Sequence, residues 1–513
     1  MSRWSRRQFV GSMSMAAGLG LTACHSRLLL HPQFVDYPFQ LGVASGDPDK
    51  EGFVIWTRLA PQPLDGGGMA TTTIPVRWEV AVDEKMGRVI RSGESLAEPA
   101  WGHSVHVELS GLPAGRDYYY RFYTGSEASP VGRSKTLPAD PEQLRIAIAS
   151  CQHFERGFFS AYRHIIDDQP DLLLFAGDYI YETPNKRKLR QYVAGEPLTL
   201  DDYRIRYAEY RLDPDLQEAH RLMPWVMNWD DHEVDNDYAG LHGQDFQPVL
   251  EFARRRRAAY QAFYEHLPLR AAARPQGNLM QLYRQLDFGS LGRMLVLDGR
   301  QYRHPQACRA QAKRDGRLLG PDCRERLEPN RSYLGAQQET WLRSRLDEAS
   351  SGWTMLAGPQ LVTPFRQRKD GQLAYWNDDW NGYPAARRHL LNDLQASRAS
   401  DPVFLSGDMH SFWANQVPSD PDQLDSRPVA AEFVTTSLTA NGLPYDLFTS
   451  LLPDNPQVHY FESRKRGYTL CNINPQRFHT EFVAIDEQLP VNTSRQSLAG
   501  FEVLPGQPWP VRV

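Results

Sequence analysis

Lysine is scarce in this chain of 513 residues, and long apolar runs are missing from it. Only 8 of its 57 basic residues are lysine; the rest are arginines spread over the whole length, and the net charge is −5, so we expect no nucleic-acid partner. No apolar run approaches 18 residues and the mean hydropathy is −0.55, which excludes a multispanning membrane protein. With 41% hydrophobic residues the chain is not largely disordered, and its length predicts more than one domain.

The N-terminus has the pattern of an export signal. The twin arginine Arg6-Arg7 is followed by apolar residues and by a short stretch rich in small residues, about 10–23, that is too short to span a bilayer. We therefore predict that residues 1–24 direct export through the twin-arginine machinery to the periplasm or the cell surface. Leu21-Thr22-Ala23-Cys24 resembles a lipobox, in which Cys24 becomes a lipid anchor; plain cleavage after a small residue is the alternative.

Cysteine is also rare, with five in the chain. Cys308 and Cys323 bracket a polar, Arg-rich insertion, and in an oxidising compartment they predict a disulfide that closes this loop. Cys151 and Cys471 end or interrupt apolar segments. Either both are small buried residues or Cys151 is a thiolate ligand for a metal, and a disulfide between these two would exclude the second interpretation.

The hydrophobic pattern divides the chain in two. Residues 39–137 show short alternating strands and turns, which predict an all-β sandwich of the fibronectin or immunoglobulin type. Pro113 followed by Tyr118 resembles the corner of such a sandwich, where a tyrosine hydroxyl ties a loop to the sheet. Residues 143–513 instead alternate helical stretches with continuous apolar runs, typical of α/β strands buried on both faces. The runs are 146–149, 172–175, 224–227, 294–297, 355–357 and 403–405.

Two helices are expected between these runs. One begins at Thr199 with a capping box in which Asp202 stands where Glu is usual. The other covers 251–267, and its run of four arginines, 254–257, wraps too far around a helix to form one face. We interpret that run as solvated surface.

Polar clusters follow four of the apolar runs. They are 150–153, 177–182, 230–233 and 406–410. In open α/β sheets ligands bind beyond the carboxyl ends of the strands, so clusters far apart in sequence converge there. Four such clusters predict a composite metal site.

The residue types in these clusters restrict the metal. Asp178, Asp231 and Asp408 offer hard carboxylates, which suit Ca²⁺, Mg²⁺ or Mn²⁺. Cys151, Tyr181 and His410 add a thiolate, a phenolate and an imidazole, which favour a transition metal; phenolate is a known ligand of ferric iron. Asp178 and Tyr181 are three residues apart and can reach one ion.

The chain resembles the PhoD-type alkaline phosphatases, within the calcineurin-like metallophosphoesterases. The segments that carry this resemblance are GVASGDP at 42–48, VIWTR at 54–58, ASCQ at 149–152, GDYIYE at 177–182, residues 203–215, WDDHEV at 229–234 and GDMH at 407–410. The resemblance implies that the α/β part is a metallophosphoesterase α/β/β/α sandwich. It also implies hydrolysis of phosphate esters by a metal-activated hydroxide.

The resemblance further implies roles for single residues. Cys151, Asp178, Tyr181 and His410 would hold Fe³⁺, and Asp178, Asp231, Asp408 and Asn236 would bind Ca²⁺. His232 and Asp231 would be catalytic, with His232 stabilising the transition state or protonating the leaving oxygen. The acid at Asp237 stands where the family often has Asn, and the role of Gln360 is left open.

Three other functions remain open from the sequence. A phosphodiesterase or phospholipase D-like enzyme would use the same residues on diesters of envelope polymers or lipids. A non-catalytic cell-surface binding protein would use the sandwich alone, although the intact acids, Cys, Tyr and His in all four clusters argue against it. An iron–tyrosinate oxidoreductase would be coloured and lack phosphatase activity.

Overall fold

The computed structural model describes residues 32–186, 188–309, 316–350, 352–486 and 493–513. The predicted export signal and Cys24 lie outside the described residues. None of the described helices is both long and apolar enough to cross a membrane.

The strands of the described residues are numbered in chain order. They are β1 Val43–Gly46, β2 Phe53–Arg58, β3 Ile74–Ala81, β4 Val89–Ala97, β5 Ser104–Leu109, β6 Asp117–Thr124, β7 Glu127–Ala128, β8 Gly132–Lys135, β9 Leu144–Ala149, β10 Leu172–Ala176, β11 Pro224–Asn228, β12 Arg284–Asp287, β13 Gly292–Val296, β14 Leu318–Leu319, β15 Trp353–Ala357, β16 Gln367–Lys369, β17 Gln372–Trp376, β18 Pro402–Ser406, β19 Phe412–Asp420, β20 Gln423–Val434, β21 Val458–Glu462, β22 Arg466–Asn474, β23 Arg477–Ile485, β24 Arg495–Leu504 and β25 Gln507–Arg512.

The α-helices of the same residues lie between these strands. They are α1 Ala161–Asp167, α2 Leu200–Arg211, α3 Pro214–Leu222, α4 Val249–His266, α5 Gly335–Asp347, α6 Pro384–Ala396 and α7 Tyr445–Leu451. The predicted capping box is confirmed: Thr199 accepts a hydrogen bond from the Asp202 amide, and the Asp202 carboxylate accepts from the Thr199 amide.

Two large sheets form the mixed α/β fold. The first has the strand order β25-β24-β23-β22-β9-β10-β11-β1-β2-β5, and the second has the order β12-β13-β15-β18-β20-β19-β21. Strands β9, β10 and β11 run parallel to one another, as do β13, β15 and β18. These six strands contain the six apolar runs of the sequence, except that Leu297 lies one residue beyond β13. All but β9 are buried along their whole length.

Three apolar cores explain how the sheets and helices pack. One lies between the sheets, where Leu174 of the first sheet and Leu405 of the second belong to a single cluster. A second core joins the other face of the first sheet, through Trp225, to α1, α2 and α4. A third joins the other face of the second sheet, through Phe404, to α5 and α6. Both faces of both sheets are therefore covered, which is why their central strands are apolar throughout.

The N-terminal strands form two layers, and one layer continues the large sheet. Strands β3, β4, β6, β7 and β8 make a separate sheet, whose inner face shares an apolar cluster with β2 and β5. Strand β1 pairs in parallel with β11, so β1, β2 and β5 extend the first large sheet. This pairing covers the edge that β11 would otherwise expose. The predicted corner is present: the Tyr118 hydroxyl donates to the Pro113 carbonyl at 3.0 Å.

Two cysteine predictions can be compared with the structure. Cys308 and Cys323 form a disulfide, as predicted. Cys151 and Cys471 are both buried and free, so no disulfide excludes Cys151 from a metal site.

The prediction of a solvated arginine run on the second helix was wrong for two of its four members. Arg255 and Arg256 are buried on α4. Arg255 donates to Glu196 at 2.7 Å and lies 3.2 Å from Asp235. Arg256 donates to the backbone carbonyl of Gly240 at 2.7 Å. Their partners lie outside the helix, 16 and 59 residues away for Gly240 and Glu196, and these contacts compensate the cost of burying the two charges.

Candidate metal centre

The four polar clusters meet at one edge of the two sheets. Cys151 follows β9, Asp178 follows β10, Asp231 follows β11 and Asp408 follows β18. Because β9, β10 and β11 are parallel neighbours, their carboxyl ends lie side by side, and β18 of the facing sheet ends at the same place. Ligand atoms within 4.8 Å of one another form overlapping groups there. Those groups are Cys151, Asp178 and His410; Asp178, Asp231 and His232; Asp230, Asp231 and Asp408; and Asp231, Asp237 and Asp378.

Left-handed backbone conformations mark this edge. Cys151, Asp178, Asp408 and His410 have φ angles of 56°, 60°, 60° and 49°. Residues with a Cβ rarely adopt such angles, which cost of order 1–3 kcal/mol each, and they persist where the surroundings enforce them. The chain turns sharply out of each strand here, so these side chains point into one small volume.

Glycines allow the strand ends to approach. A Cβ added to Gly177, whose φ is 101°, would lie 2.7 Å from the Asp230 Cβ and 2.8 Å from the Asp230 amide nitrogen. A Cβ on Gly407 would lie 2.8 Å from the Ser150 hydroxyl oxygen. Side chains at these two positions would push apart the strand ends that carry the clusters.

This close approach gives a testable prediction. We expect Gly177→Ala to destabilise the protein by about 2–5 kcal/mol, because overpacking costs ~1–3 kcal/mol and a left-handed alanine costs ~1–2 kcal/mol. Gly371→Ala is the matched control, since Gly371 has a φ of 76° and open space around its Cβ position. Thermal unfolding of both variants measures the difference. Equal losses would show that the strand ends are not tightly packed at Gly177.

The group of Cys151, Asp178 and His410, called the first group from here on, combines soft and hard donors. The Tyr181 hydroxyl donates to Asp178 Oδ2 at 2.9 Å and lies 3.1 Å from His410 Nε2. His410 Nδ1 lies 2.7 Å from the Asn441 carbonyl oxygen, which fixes the ring and leaves Nε2 facing the group. Tyr181 therefore lies beside Cys151, Asp178 and His410.

The carboxylate groups share members. Asp178 belongs to two groups and Asp231 to three, so each can bridge neighbouring ions. Asp231 is held by its neighbours, since the Asp237 amide donates to Asp231 Oδ2 at 2.6 Å. One oxygen of each shared carboxylate, Asp178 Oδ1 and Asp231 Oδ1, is buried without a hydrogen-bond partner among the described residues. Asp231 Oδ1 also lies 3.4 Å from the Arg300 guanidinium.

Buried carboxylate oxygens that accept no hydrogen bond fit a bound cation. Burial, together with the neighbouring acids, raises the pKa values of Asp178 and Asp408 well above their usual range. Burial likewise raises the pKa of the Cys151 thiol. Crowded buried carboxylates are stabilised in their charged form by a cation, and metal binding displaces the thiol proton. The donor set therefore fits a metal centre.

His232 lies beside this centre and contacts the buried carboxylate of Glu182. Its Nδ1 lies 2.7 Å from Glu182 Oε2, and Glu182 Oε1 accepts from the Asn236 amide at 3.0 Å. Burial alone would raise the pKa of Glu182, but the adjacent His232 overrides it and lowers that pKa to about 2. Burial opposes a charge on His232, but Glu182, Asp231 and Asp178 raise its pKa well above the usual range.

A pocket opens onto these side chains. It has a volume of about 250 Å³, and its lining includes Tyr181, His232, Asn236 and His410. The side-chain amide of Asn236 donates to Gln244, which also lines the pocket, at 3.2 Å. A ligand in this pocket would contact His232 and the first group together.

Known proteins are similar to this chain in sequence and in architecture. The PhoD-like phosphatase family matches residues 146–482, and the N-terminal domain of PhoD-like phosphatases matches residues 23–138. Alkaline phosphatase D of Bacillus subtilis (strain 168) is 42% identical over 497 residues, which cover 93% of this chain and 84% of that protein. A solved structure of PhoD is 40% identical, covers 94% of this chain and 93% of its own, and matches with a TM-score of 0.89.

The chain belongs to the PhoD-like phosphatase family. It is a phosphoric ester hydrolase of the alkaline phosphatase D type with a mixed α/β fold. The resemblance drawn from the sequence motifs is thereby confirmed. A non-catalytic binding protein is not favoured.

Some polar residues of this PhoD-like site were missed by the sequence analysis. Arg300 is fully buried and donates to Asp230 at 2.5 and 2.9 Å and to Asp378 at 2.7 Å. Arg303 also pairs with Asp378, and Gln360 donates to Asp378 at 3.1 Å. Arg300 follows β13 and could have been found by the same strand-end rule. Asp378 lies in a loop after β17, where no such rule applies.

Proposed function

We propose that this PhoD-like phosphatase hydrolyses phosphate esters at a multinuclear metal centre built on the four strand ends. The observation that carries this proposal is the sharing of Asp178 and Asp231 among the ligand groups. Shared carboxylates are expected where neighbouring ions act on one substrate. When bound, the ions would polarise the phosphoryl oxygens and supply an activated water for in-line attack.

The donor types support the ion assignment that the family resemblance implies. Cys151, Asp178, Tyr181 and His410 would hold Fe³⁺, because thiolate, phenolate and imidazole favour a transition metal. Asp178, Asp231, Asp408 and Asn236 would hold Ca²⁺, which prefers oxygen ligands. Asp237 stands where the family often has Asn, and it shares a group with Asp231 and Asp378. This sharing supports a role for Asp237 as a metal ligand.

His232 would protonate the leaving oxygen. Its Nδ1 contacts Glu182, so Nε2 is the nitrogen available to a substrate in the pocket. Glu182 would fix the orientation of the ring and favour its protonated form, as a general acid requires. Asp231, bridging the groups, would hold the ions against the same substrate.

We also propose the finer architecture and the cellular location. The helix-covered sheets with three cores support a metallophosphoesterase α/β/β/α sandwich over residues 143–513. The apolar cluster between the two N-terminal layers supports a β-sandwich over 39–137, one layer of which (β1, β2 and β5) continues the first large sheet. The Cys308–Cys323 disulfide supports an oxidising compartment, in agreement with twin-arginine export to the periplasm or cell surface. Lipidation at Cys24 remains part of this proposal.

The function is tested with the exported, chelator-free protein. We expect hydrolysis of p-nitrophenyl phosphate to be lost after EDTA treatment and restored by Ca²⁺, since the carboxylate groups bind the ion reversibly. The rate with bis-p-nitrophenyl phosphate, measured in parallel, separates monoester from diester preference. Hydrolysis that is unaffected by chelation, with no metal left in the protein, would contradict the metal centre.

A further inference from the structure

The Tyr181 phenol is packed against two imidazoles, those of His153 and His232. The ring centre of His153 lies 4.4 Å from that of Tyr181, with 25° between the planes. The ring centre of His232 lies 4.1 Å from that of Tyr181, with 32° between the planes. The His153 ring is stacked on the phenol, and the His232 ring is tilted against it. The Tyr181 ring therefore cannot move toward either imidazole without displacing a histidine.

The stack continues away from the pocket. The Tyr192 ring lies 6.2 Å from that of His153, at 20°. The Arg206 guanidinium carbon lies 3.5 Å from the centre of the Tyr192 ring. Arg206 also donates to the backbone carbonyls of Tyr181 and Glu182. Both the ring and the backbone of Tyr181 are thus fixed by one connected column.

The His153 side chain is bound into this column by ring packing. It is only 6% exposed, and its Nδ1 is buried without a hydrogen-bond partner among the described residues. Its polar anchor is on the backbone, where its carbonyl accepts from the Thr439 hydroxyl at 2.9 Å. The ring also borders the pocket. An imidazole held in this way contributes mainly the flat face that it presents to Tyr181.

We propose that His153 is a positioning residue of the phosphatase, which acts by holding the Tyr181 phenol against the first ligand group. This inference rests on the proposed function, in which Tyr181 binds Fe³⁺. The phenol oxygen lies 2.9 Å from Asp178 Oδ2 and 3.1 Å from His410 Nε2, so a small displacement of the ring moves it out of reach. A stacked aromatic pair raises the equilibrium population of the correctly placed ring about three- to tenfold.

The test compares His153→Leu, which keeps apolar volume without a flat face, with His153→Phe, which restores a ring. Each protein is loaded with Fe³⁺ and Ca²⁺, and two properties are measured: kcat and KM for p-nitrophenyl phosphate, and the visible absorption band of an Fe³⁺-bound phenolate. We expect His153→Leu to lower kcat about three- to tenfold with KM within about twofold, and to shift or weaken the band. His153→Phe should recover most of both.

Tyr181→Phe separates this inference from the proposed function. Loss of the band in Tyr181→Phe supports Tyr181 as the ligand, and a band that persists in that variant would overturn the ligand assignment itself. If Tyr181→Phe loses the band while His153→Leu keeps the wild-type band and kcat, the positioning role of His153 is wrong and the metal centre stands. Thermal unfolding confirms that each variant is folded at the assay temperature.

Discussion

Asp178→Asn is expected to lose bound metal and phosphatase activity together. Asp178 is the residue that joins the group of Cys151 and His410 to the group of Asp231 and His232. Loss of one electrostatic contact to a transition state costs about 10²–10³ in kcat, and loss of a shared ligand should cost more than about 10³. Asparagine tolerates the left-handed φ of 60° about as well as aspartate does, so the substitution removes charge without new backbone strain.

Metal content by mass spectrometry and kcat for p-nitrophenyl phosphate measure both effects. Asp370→Asn is the matched control, because Asp370 also has a left-handed φ, 52°, but lies exposed in the turn between β16 and β17. It should keep the wild-type metal content and kcat. An Asp178→Asn protein that binds the normal amount of metal and retains activity would refute the shared-ligand assignment.

His232→Ala is expected to lower kcat by about 10²–10⁴ while the metal stays bound. The physical reason is that a general acid contributes to protonation of the leaving oxygen, whereas the ions are held by carboxylates, thiolate and phenolate. The loss should be smaller for p-nitrophenyl phosphate than for an alkyl phosphate, since p-nitrophenolate leaves readily without a proton. Rates with both esters, together with metal content, test this.

Glu182→Gln is the companion variant for His232. It keeps the shape of the side chain but removes the charge 2.7 Å from His232 Nδ1, so it should reproduce part of the kcat loss. His232 also lies within 4.8 Å of the ligand atoms of Asp178 and Asp231. Loss of metal in His232→Ala would therefore make His232 a ligand and remove its role as the acid.

The strand-end residues were predictable because local and global signals agree there. Continuous apolar runs identified β9, β10, β11 and β18, and the geometry of parallel sheets required their polar ends to converge. Asp178 and Asp408 each follow a glycine at the exit from a strand, a local signal of a tight turn. This is why Cys151, Asp178 and Asp408 could be placed together although more than 200 residues separate the first from the last.

Other features depend on pairings that leave no local trace. The parallel pairing of β1 with β11 joins residues about 180 positions apart, and nothing within Val43–Gly46 distinguishes it from a strand of a separate sandwich. Arg255 and Arg256 look solvated in sequence because their partners come from loops outside the helix. The pairing of Asp378 with Arg300 likewise joins residues that are distant in sequence. Burial of a charge is decided by such long-range partners.

Anomalous X-ray scattering from crystals of the active enzyme would test the metal centre most directly. Data collected on both sides of the iron absorption edge, with calcium located from its own signal, place each ion relative to the ligand atoms. We expect iron bonded to Cys151, Asp178, Tyr181 and His410, and calcium bonded to Asp178, Asp231, Asp408 and Asn236, at distances of about 2.0–2.6 Å. Fully active crystals without any ion among these side chains would contradict the account.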